Sequence, residues 1–413
     1  MTVATGELDW PPHDSAVRPW RQRTVRGPRA DRLMREVTAS LPPMIAELDL
    51  PMDRTLTAMT TASAGGLSHL DLVHGRTLAE LNHLLLRTEA VDSSKIENVD
   101  ASVADYGRAL LGEGANASAV SMASATAAMA RLITDSDRTW RIRSDAVLAA
   151  HRELFARNPE EAGRAGEYRT TQNWIGGSDY APRDALHVPP PPDTVPDYLQ
   201  DLFAFLDRQD LPPLVQAAIA HAQFESIHPF IDGNGRIGRA LIHAVLRRRR
   251  VTRHVTVPIA SALVVHRDHY FSALNAYRAG RARTIVALLA RSAGVATAES
   301  WVTATRLVEI REQWSAAVGG TRPGTPAHRV LDLLTGEPIV TARLVHERLG
   351  VEEDEAVAVI ERLVDTRVLR RAPRSRRAPV WLASAVVDEI GDLSDRIQAA
   401  SRRMTGPGAA TAG

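Results

Sequence analysis

The stretch HPFIDGNGRIGR, His228 to Arg239, puts an imidazole, a carboxylate, a Gly-Asn-Gly turn and two guanidinium groups within twelve residues. Pro229 disfavours helical geometry at the residue before it, so one helix ends at His228 and another starts near Gly235. Gly233, Asn234 and Gly235 then stand at a helix N-terminus. Backbone N–H groups are left without intrahelical partners there, and glycine lets an anion approach closely. The helix dipole adds about half a positive charge at the same point. Arg236 and Arg239, at i and i+3, project from one face and can grip neighbouring phosphates. Ile237 and Gly238 lie between them in the same first turns. Asp232 can hold a Mg²⁺ that bridges those phosphates, and an imidazole at the lip of the loop suits removal of a hydroxyl proton near neutral pH. Singly, each feature has a blander reading: a structural histidine, a plain turn, a solvated arginine pair. Together they make a base, a metal ligand, an anion nest and charge clamps, which is the equipment of nucleotidyl transfer.

Such a loop must be held by helices, and helical periodicity dominates the chain. Patterns of three- and four-residue spacing predict helices over about 30–40, 78–87, 118–136 and 144–156. Two more bracket the motif, at about 214–226 and 235–249. The first thirty residues, rich in Pro and Arg, predict an irregular segment lying on the surface. YRTTQNWIGGSDYAPRDALHVPPPP breaks the helical pattern and predicts a hairpin over a helical body, since its proline run fits neither helix nor central strand. From Gly319 to Pro326 the sequence reads as a linker. Helix patterns at 327–334, 341–349 and 354–366 follow, then two apolar strands around the basic turn RRAPRSRRAP. That order is the order of a winged helix-turn-helix. The tail TGPGAATAG is expected to be disordered.

At 413 residues, with 44% hydrophobic and 24% charged residues, the composition is that of a globular protein of two or three domains. The divisions expected are an N-terminal helical region (1–115), a catalytic core (116–300), a helix end and linker (301–325), the winged-helix region (326–390) and a tail (391–413). The net charge of +1 gives no global attraction to nucleic acid. The absence of cysteine excludes disulfides, thiolate metal sites and cysteine nucleophiles. No run approaches the roughly 20 apolar residues of a membrane span and no signal pattern opens the chain, so a cytoplasmic protein without a membrane partner is expected. Lys95 is the only lysine, and all other basic charge of this kind is arginine.

HPFIDGNGRIGR resembles the signature of the Fic family, His-x-Phe-x-(Asp/Glu)-Gly-Asn-Gly-Arg-x-x-Arg, at every specified position. The resemblance covers roughly residues 60–300. It implies an all-α fold, a Fic helical core with a small hairpin flap, and transfer of AMP from ATP to a Ser, Thr or Tyr hydroxyl of a target protein. By the same resemblance His228 is the general base, Asp232 the Mg²⁺ ligand, and Gly233, Asn234 and Gly235 the anion nest. Arg236 and Arg239 would contact the β- and γ-phosphates, and Phe230 would be the buried anchor of the loop. A phosphorylating branch of the family carries Lys where this chain has Gly235, which favours AMP transfer here. The flap would bind target main chain as an added strand, with its entry, Asn173, Trp174, Ile175 and Gly176, beside the nucleotide. YFSALNAYRAG resembles the helix that closes over adenine, with Tyr270 and Arg278 at the contacting positions.

AVDSSKIENVD reads by itself as the polar end of a helix. Beside a Fic core it resembles the family's inhibitory motif, (Ser/Thr)-x-x-x-Glu-(Gly/Asn), met by Ser93, Glu97 and Asn98. A carboxylate reaching the nucleotide site would pair with Arg239 and displace the γ-phosphate. In some relatives the equivalent glutamate also supports AMP removal. Two other functions remain open from sequence. One is a different nucleotidyl transfer, or AMP removal, at the same site. The other is a regulator whose C-terminal module binds DNA. The third helix of that module, DEAVAVIERLVDT, is acidic, so oligomerisation or target recruitment is favoured over DNA.

Overall fold

The computed structural model describes residues 10–22, 26–75, 79–110, 112, 115–158, 162–372 and 379–405. They begin with β1 (Asp14–Pro19), α1 (Arg29–Leu33), β2 (Glu36–Leu41), α2 (Arg54–His74), α3 (Ala79–Ile96), α4 (Val103–Leu110), α5 (Ala117–Thr139) and α6 (Ser144–Phe155). Then come α7 (Val195–Asp207), α8 (Pro213–Ile227), α9 (Asn234–Arg248), α10 (Ile259–Val264), α11 (Arg267–Arg278) and α12 (Ala282–Ala317). The C-terminal part holds α13 (Pro326–Leu334), β3 (Ile339–Val340), α14 (Ala342–Leu349), α15 (Glu353–Asp365), β4 (Arg370–Arg371), β5 (Trp381–Leu382) and α16 (Ser384–Thr405). The fold is all-α with small β elements, as the periodicity predicts.

Two N-terminal expectations are corrected. The irregular opening segment contains β1, and the helix expected over 30–40 stops at Leu33 and gives way to β2. The strands form an antiparallel ribbon with Asp14 opposite Leu41 and Pro19 opposite Glu36. Leu33, Met34 and Val37 fit a helical spacing by coincidence. The true signal is the alternation of exposed Glu36 and Thr38 with buried Val37 and Ala39. Val37 and Ala39 cluster with Val188 of the hairpin, flanked by Trp20 and Trp174. A partner about 150 residues away in sequence thus decides the local conformation.

The chain groups into two compact units that interleave along the sequence. The first comprises 1–62, 127–249 and 267–291, the second 63–126, 250–266 and 292–413. At the centre of the first lies α8, in which every residue from Leu214 to Ile227 is buried. A helix buried on every side must be surrounded, and α7, α9 and α11 pack against it. Gly238 permits the α8–α9 approach, since a Cβ there would lie 2.9 Å from Glu225 Oε1 and 3.1 Å from His221 Nδ1.

In the second unit α3, α10 and α16 pack together. Two buried acids one helical turn apart on α3 join them. Glu89 Oε2 accepts from the Ala260 N–H at 2.6 Å. Asp92 Oδ2 accepts from Ser261 Oγ at 2.5 Å and from Ser394 Oγ at 2.8 Å. The C-terminal elements carry α13–α15 and a three-stranded sheet of order β3-β5-β4. The expected basic turn falls mainly on 373–378 and the expected disordered tail on 406–413, both outside the described residues. The 36-residue α12 is long and apolar enough to cross a membrane by composition, but its most apolar stretch is 61% buried inside the protein, as in a core helix.

Candidate active site

The site is built at the junction of α8 and α9. His228 closes α8 in the left-handed conformation, φ 49° and ψ 59°, with its N–H donating to Phe224 O at 2.9 Å. Gly233 opens α9 with φ 81°. Only glycine enters that region without strain, and a Cβ there would also lie 2.8 Å from Leu154 Cδ2.

Between these two residues the loop is pinned from several sides. Asn234, 2% exposed, accepts from the Phe230 N–H and donates to Phe230 O, each at 2.8 Å. Its side chain therefore staples the loop, and any role in anion binding falls to its backbone. Phe230 is fully buried, as expected of an anchor, and stacks on His151 with centroids 3.8 Å apart. His151 Nε2–H donates to Asp232 O at 3.1 Å, while its Nδ1 accepts from the Gly166 N–H at 2.8 Å. These bonds require the neutral Nε2–H tautomer. Burial, the largest cause, pulls the His151 pKa down to about 4.

Asp232 is exposed, and its Oδ1 accepts from the Gly233 N–H at 2.6 Å. That N–H therefore points at the Asp232 carboxylate, which narrows the expected nest to the backbone beyond Gly233. Arg236 lies 3.4 Å from the other Asp232 oxygen and over the Phe155 ring, 5.4 Å from its centroid. Arg239 is 1% exposed on the same face of α9. Gly235 is half-buried, and Ile237 and Gly238 are buried. No group of three or more His, Cys, Asp or Glu suited to a metal occurs among the described residues. A lone exposed carboxylate fits Mg²⁺, which takes one or two carboxylates and completes its shell with phosphate and water.

The hairpin is narrow. Ile175 pairs with His187, Ile175 N–H donating to His187 O at 2.9 Å and Leu186 N–H to Ile175 O at 2.7 Å. Asn173 Nδ2 donates to Phe230 O at 2.8 Å, so the flap entry reaches the motif loop. Trp174 meets Trp20 edge-on at 5.5 Å, and its Nε1 donates to Ser178 O at 2.7 Å. Gly176 is exposed. The buried Asp31 carboxylate accepts from Ser178 Oγ and from Arg183 Nε, so the N-terminal segment grips the hairpin tip. A cavity of about 1400 Å³ opens in front, its walls including Arg18, Tyr168, Thr171, Asn173, Trp174 and Asp232.

Tyr270, on α11, is 1% exposed, stacks on His221 and shares a 2.8 Å hydrogen bond with its Nε2. Arg278 donates to Asn275 Oδ1 at 2.8 Å, and burial lowers its guanidinium pKa to about 10. Ser93, Glu97 and Asn98 belong to the second unit. Ser93 is buried in α3 and Glu97 is exposed. Asn98 has φ 59°, Val99 N–H donates to Ser94 O at 3.1 Å and Asn98 N–H to Lys95 O at 2.9 Å. This paired pattern is a Schellman stop. It gives a local reason for Asn after the glutamate, since a left-handed residue favours Gly or Asn.

Residues 141–246 match the Fic/DOC family. The chain carries a Fic domain. That domain takes in α6, the hairpin, α7, α8, the motif loop and most of α9. Over 154 residues the chain is 30% identical to "Protein adenylyltransferase fic-1" of Caenorhabditis elegans, covering 36% of this chain and 27% of that protein. It is 32% identical over 154 residues to "Protein adenylyltransferase Fic" of Nematostella vectensis, covering 36% and 32%. The chain thus spans about a third or less of these relatives' length. A Fic family protein from Desulfovibrio desulfuricans G20 has the same fold, with TM-score 0.51 at 21% identity over 80% of this chain and 97% of that one.

Two buried polar side chains within residues 141–246 were not singled out in the sequence. His151 lies on the buried face of α6, where an apolar helix stripe gives no cue to its polar contacts. Arg169 lies inside YRTTQNWIGG, but its partners are distant in sequence.

Proposed function

We propose that this protein is a Mg²⁺-dependent adenylyltransferase that moves AMP from ATP to a hydroxyl side chain of a protein, and that Glu97 restrains it. The observation that carries the reading is the motif loop. His228, Asp232 and the start of α9 are held on one short pinned segment, with Arg236 and Arg239 on the first turns of the helix. The residues that match the Fic/DOC family, 141–246, include this loop, and relatives named adenylyltransferase are 30–32% identical over 154 residues.

In the reaction, His228 accepts the proton of the target hydroxyl as that oxygen attacks the α-phosphorus. The α–β phosphoanhydride bond breaks, and pyrophosphate leaves with its electron pair. Arg236 and Arg239 hold the β- and γ-phosphates and balance the charge that develops on the leaving group. Backbone N–H groups of α9 past Gly233 and the helix dipole favour negative charge at the same end. Asp232 is the residue that would hold Mg²⁺, which supplies charge neutralisation and orientation of the phosphates. Tyr270 and Arg278 are proposed to flank the base, and Asn173 to Gly176 to border the nucleotide. The target's main chain would lie along the hairpin, in the open cavity beside Trp174 and Thr171.

Glu97 follows α3 directly, and the Schellman stop at Asn98 fixes its place at the helix end. A carboxylate delivered to Arg239 would compete with the γ-phosphate. The α15 helix opens with Glu353, Asp354 and Glu355, which weighs against a DNA-reading role for the C-terminal module proposed as a winged helix.

The test is incorporation of labelled AMP, with other nucleotides run in parallel. Glu97→Gly protein should label itself or lysate proteins roughly tenfold or more above the parent, and His228→Ala should abolish labelling. Labelling that survives His228→Ala would overturn the catalytic assignment. Equal labelling with and without Glu97 would overturn the restraint.

A further inference from the structure

Arg169 is 3% exposed, and every side-chain hydrogen bond it makes goes to a backbone carbonyl. Nε donates to His228 O at 2.8 Å, Nη2 to Pro190 O at 2.6 Å and Ile227 O at 3.3 Å, and Nη1 to Thr171 O at 3.4 Å. Its own backbone N–H donates to Pro229 O at 2.8 Å. A buried guanidinium without a carboxylate is costly unless other dipoles replace water. Here the carbonyls at the end of α8 do so. The last turn of a helix has unpaired carbonyl oxygens and carries the negative end of the dipole, and α8 delivers it inside the core.

Those carbonyls are also where strain is held. His228 is a non-glycine residue in the left-handed region, a strained conformation that persists only where surrounding contacts offset the strain. Arg169 grips the chain on both sides of the His228 Cα, through the Ile227 and His228 carbonyls, while its N–H grips Pro229. The other two carbonyls, Thr171 and Pro190, are the two legs of the hairpin, one entering it and one leaving. A single guanidinium therefore joins both legs of the proposed docking element to the backbone of the proposed base.

We propose that Arg169 is a positioning residue: it holds His228 in the left-handed backbone conformation that aims the imidazole, and keeps that backbone in register with the hairpin. The proposal rests on the adenylyl-transfer reading for its kinetic consequence, but not for its structural one. Misplacing a base by about 1 Å costs roughly a hundredfold in rate. The groups assigned to the phosphates lie on the first turns of α9 and those assigned to the base on α11, and Arg169 bonds none of them; ATP binding should therefore be spared even though the hairpin entry borders the nucleotide.

The experiment uses full-length Arg169→Lys and Arg169→Gln, each in the wild-type and Glu97→Gly backgrounds. Four quantities are measured: kcat, KM for ATP, the affinity for a fluorescent ATP analogue, and the rate at which diethylpyrocarbonate modifies His228, followed by mass spectrometry. Both variants should melt cooperatively and bind the analogue within about threefold of the parent. They should lose roughly a hundredfold in kcat, with Lys less affected than Gln, and His228 should change its modification rate severalfold. Unchanged kcat in a folded variant overturns the proposal. So does loss of kcat and nucleotide affinity together, or loss of a cooperative melt in both variants, because Arg169 would then serve folding alone. A parent without AMP transfer would sink the functional reading only; the His228 modification rate would still decide the positioning role, an unchanged rate overturning it.

Discussion

At the scale of single residues, the site depends on polar groups committed to the backbone. His151 shows the energetic consequence. Its ring is stacked on Phe230 and hydrogen-bonded as the neutral tautomer, so it resists protonation down to about pH 4 against an ordinary value of 6.5. Between those values the unfolded chain binds a proton that the folded chain does not, so stability rises with pH. The contribution is fully present above about pH 6.5 and is lost as pH falls toward 4. That loss is on the order of 3 kcal/mol. His13, pulled down to about 3 mainly by burial, acts in the same direction. Denaturant titrations at pH 7 and pH 5 should show the protein markedly weaker at pH 5. His151→Gln, which can still donate to Asp232 O, should flatten that slope. An unchanged slope in the variant would mean His151 titrates normally.

The same scale explains which site residues were legible. The end of α8 at His228 and the start of α9 after Gly233 were legible because helix ends, glycine and proline act through neighbours only a few positions away. The role of the Asn234 side chain was not legible. Its amide is spent on Phe230, a contact that depends on how tightly the loop folds back. Arg169 and His151 were missed because their partners lie 59 and 81 positions away.

At the scale of elements, helix stops do more than end helices. Asn98 occupies the left-handed position that ends α3, next to Glu97. Asn98→Gly should be neutral within about 0.5 kcal/mol, whereas Asn98→Ala should cost about 1 kcal/mol. If Glu97 restrains the enzyme, Asn98→Ala should also raise AMP labelling, since a frayed helix end delivers the carboxylate less well. Thermal melts and labelling of the two variants check this, and an Ala variant as stable as the parent would contradict the backbone argument. The ribbon of β1 and β2 is the counterexample to local reading. The alternation in β2 spans only four residues and competes with a helical spacing, and β2 forms where Val37 and Ala39 find Val188 and the hairpin.

At the scale of the whole molecule, the two units share helices along the chain, with α2, α5 and α12 each contributing residues to both. The C-terminal part is not an appendage within its own unit. α16 returns to α3, where Ser394 donates to Asp92, and Glu337 pairs with Arg87 at 2.5 Å. Leu393 and Ile397 on α16 are fully buried, and each contributes about 1.5–3 kcal/mol. Ending the chain after Val318 should therefore lower the unfolding midpoint and speed protease cleavage just beyond α3. A truncated chain with an unchanged midpoint and digestion pattern would show that α3 does not depend on α16.

The sequence by itself determined the helical class, the hairpin and the α8–loop–α9 arrangement. Those follow from periodicity and from turn residues, whose effects act over a few positions. The tertiary structure alone decided the N-terminal ribbon and the spending of Asn234 on the loop. It also placed the Arg169 guanidinium over the carbonyls of His228 and the hairpin legs. In each case the deciding partner is a buried group far along the chain, and the cost of leaving a buried polar or apolar group unmatched selects the arrangement.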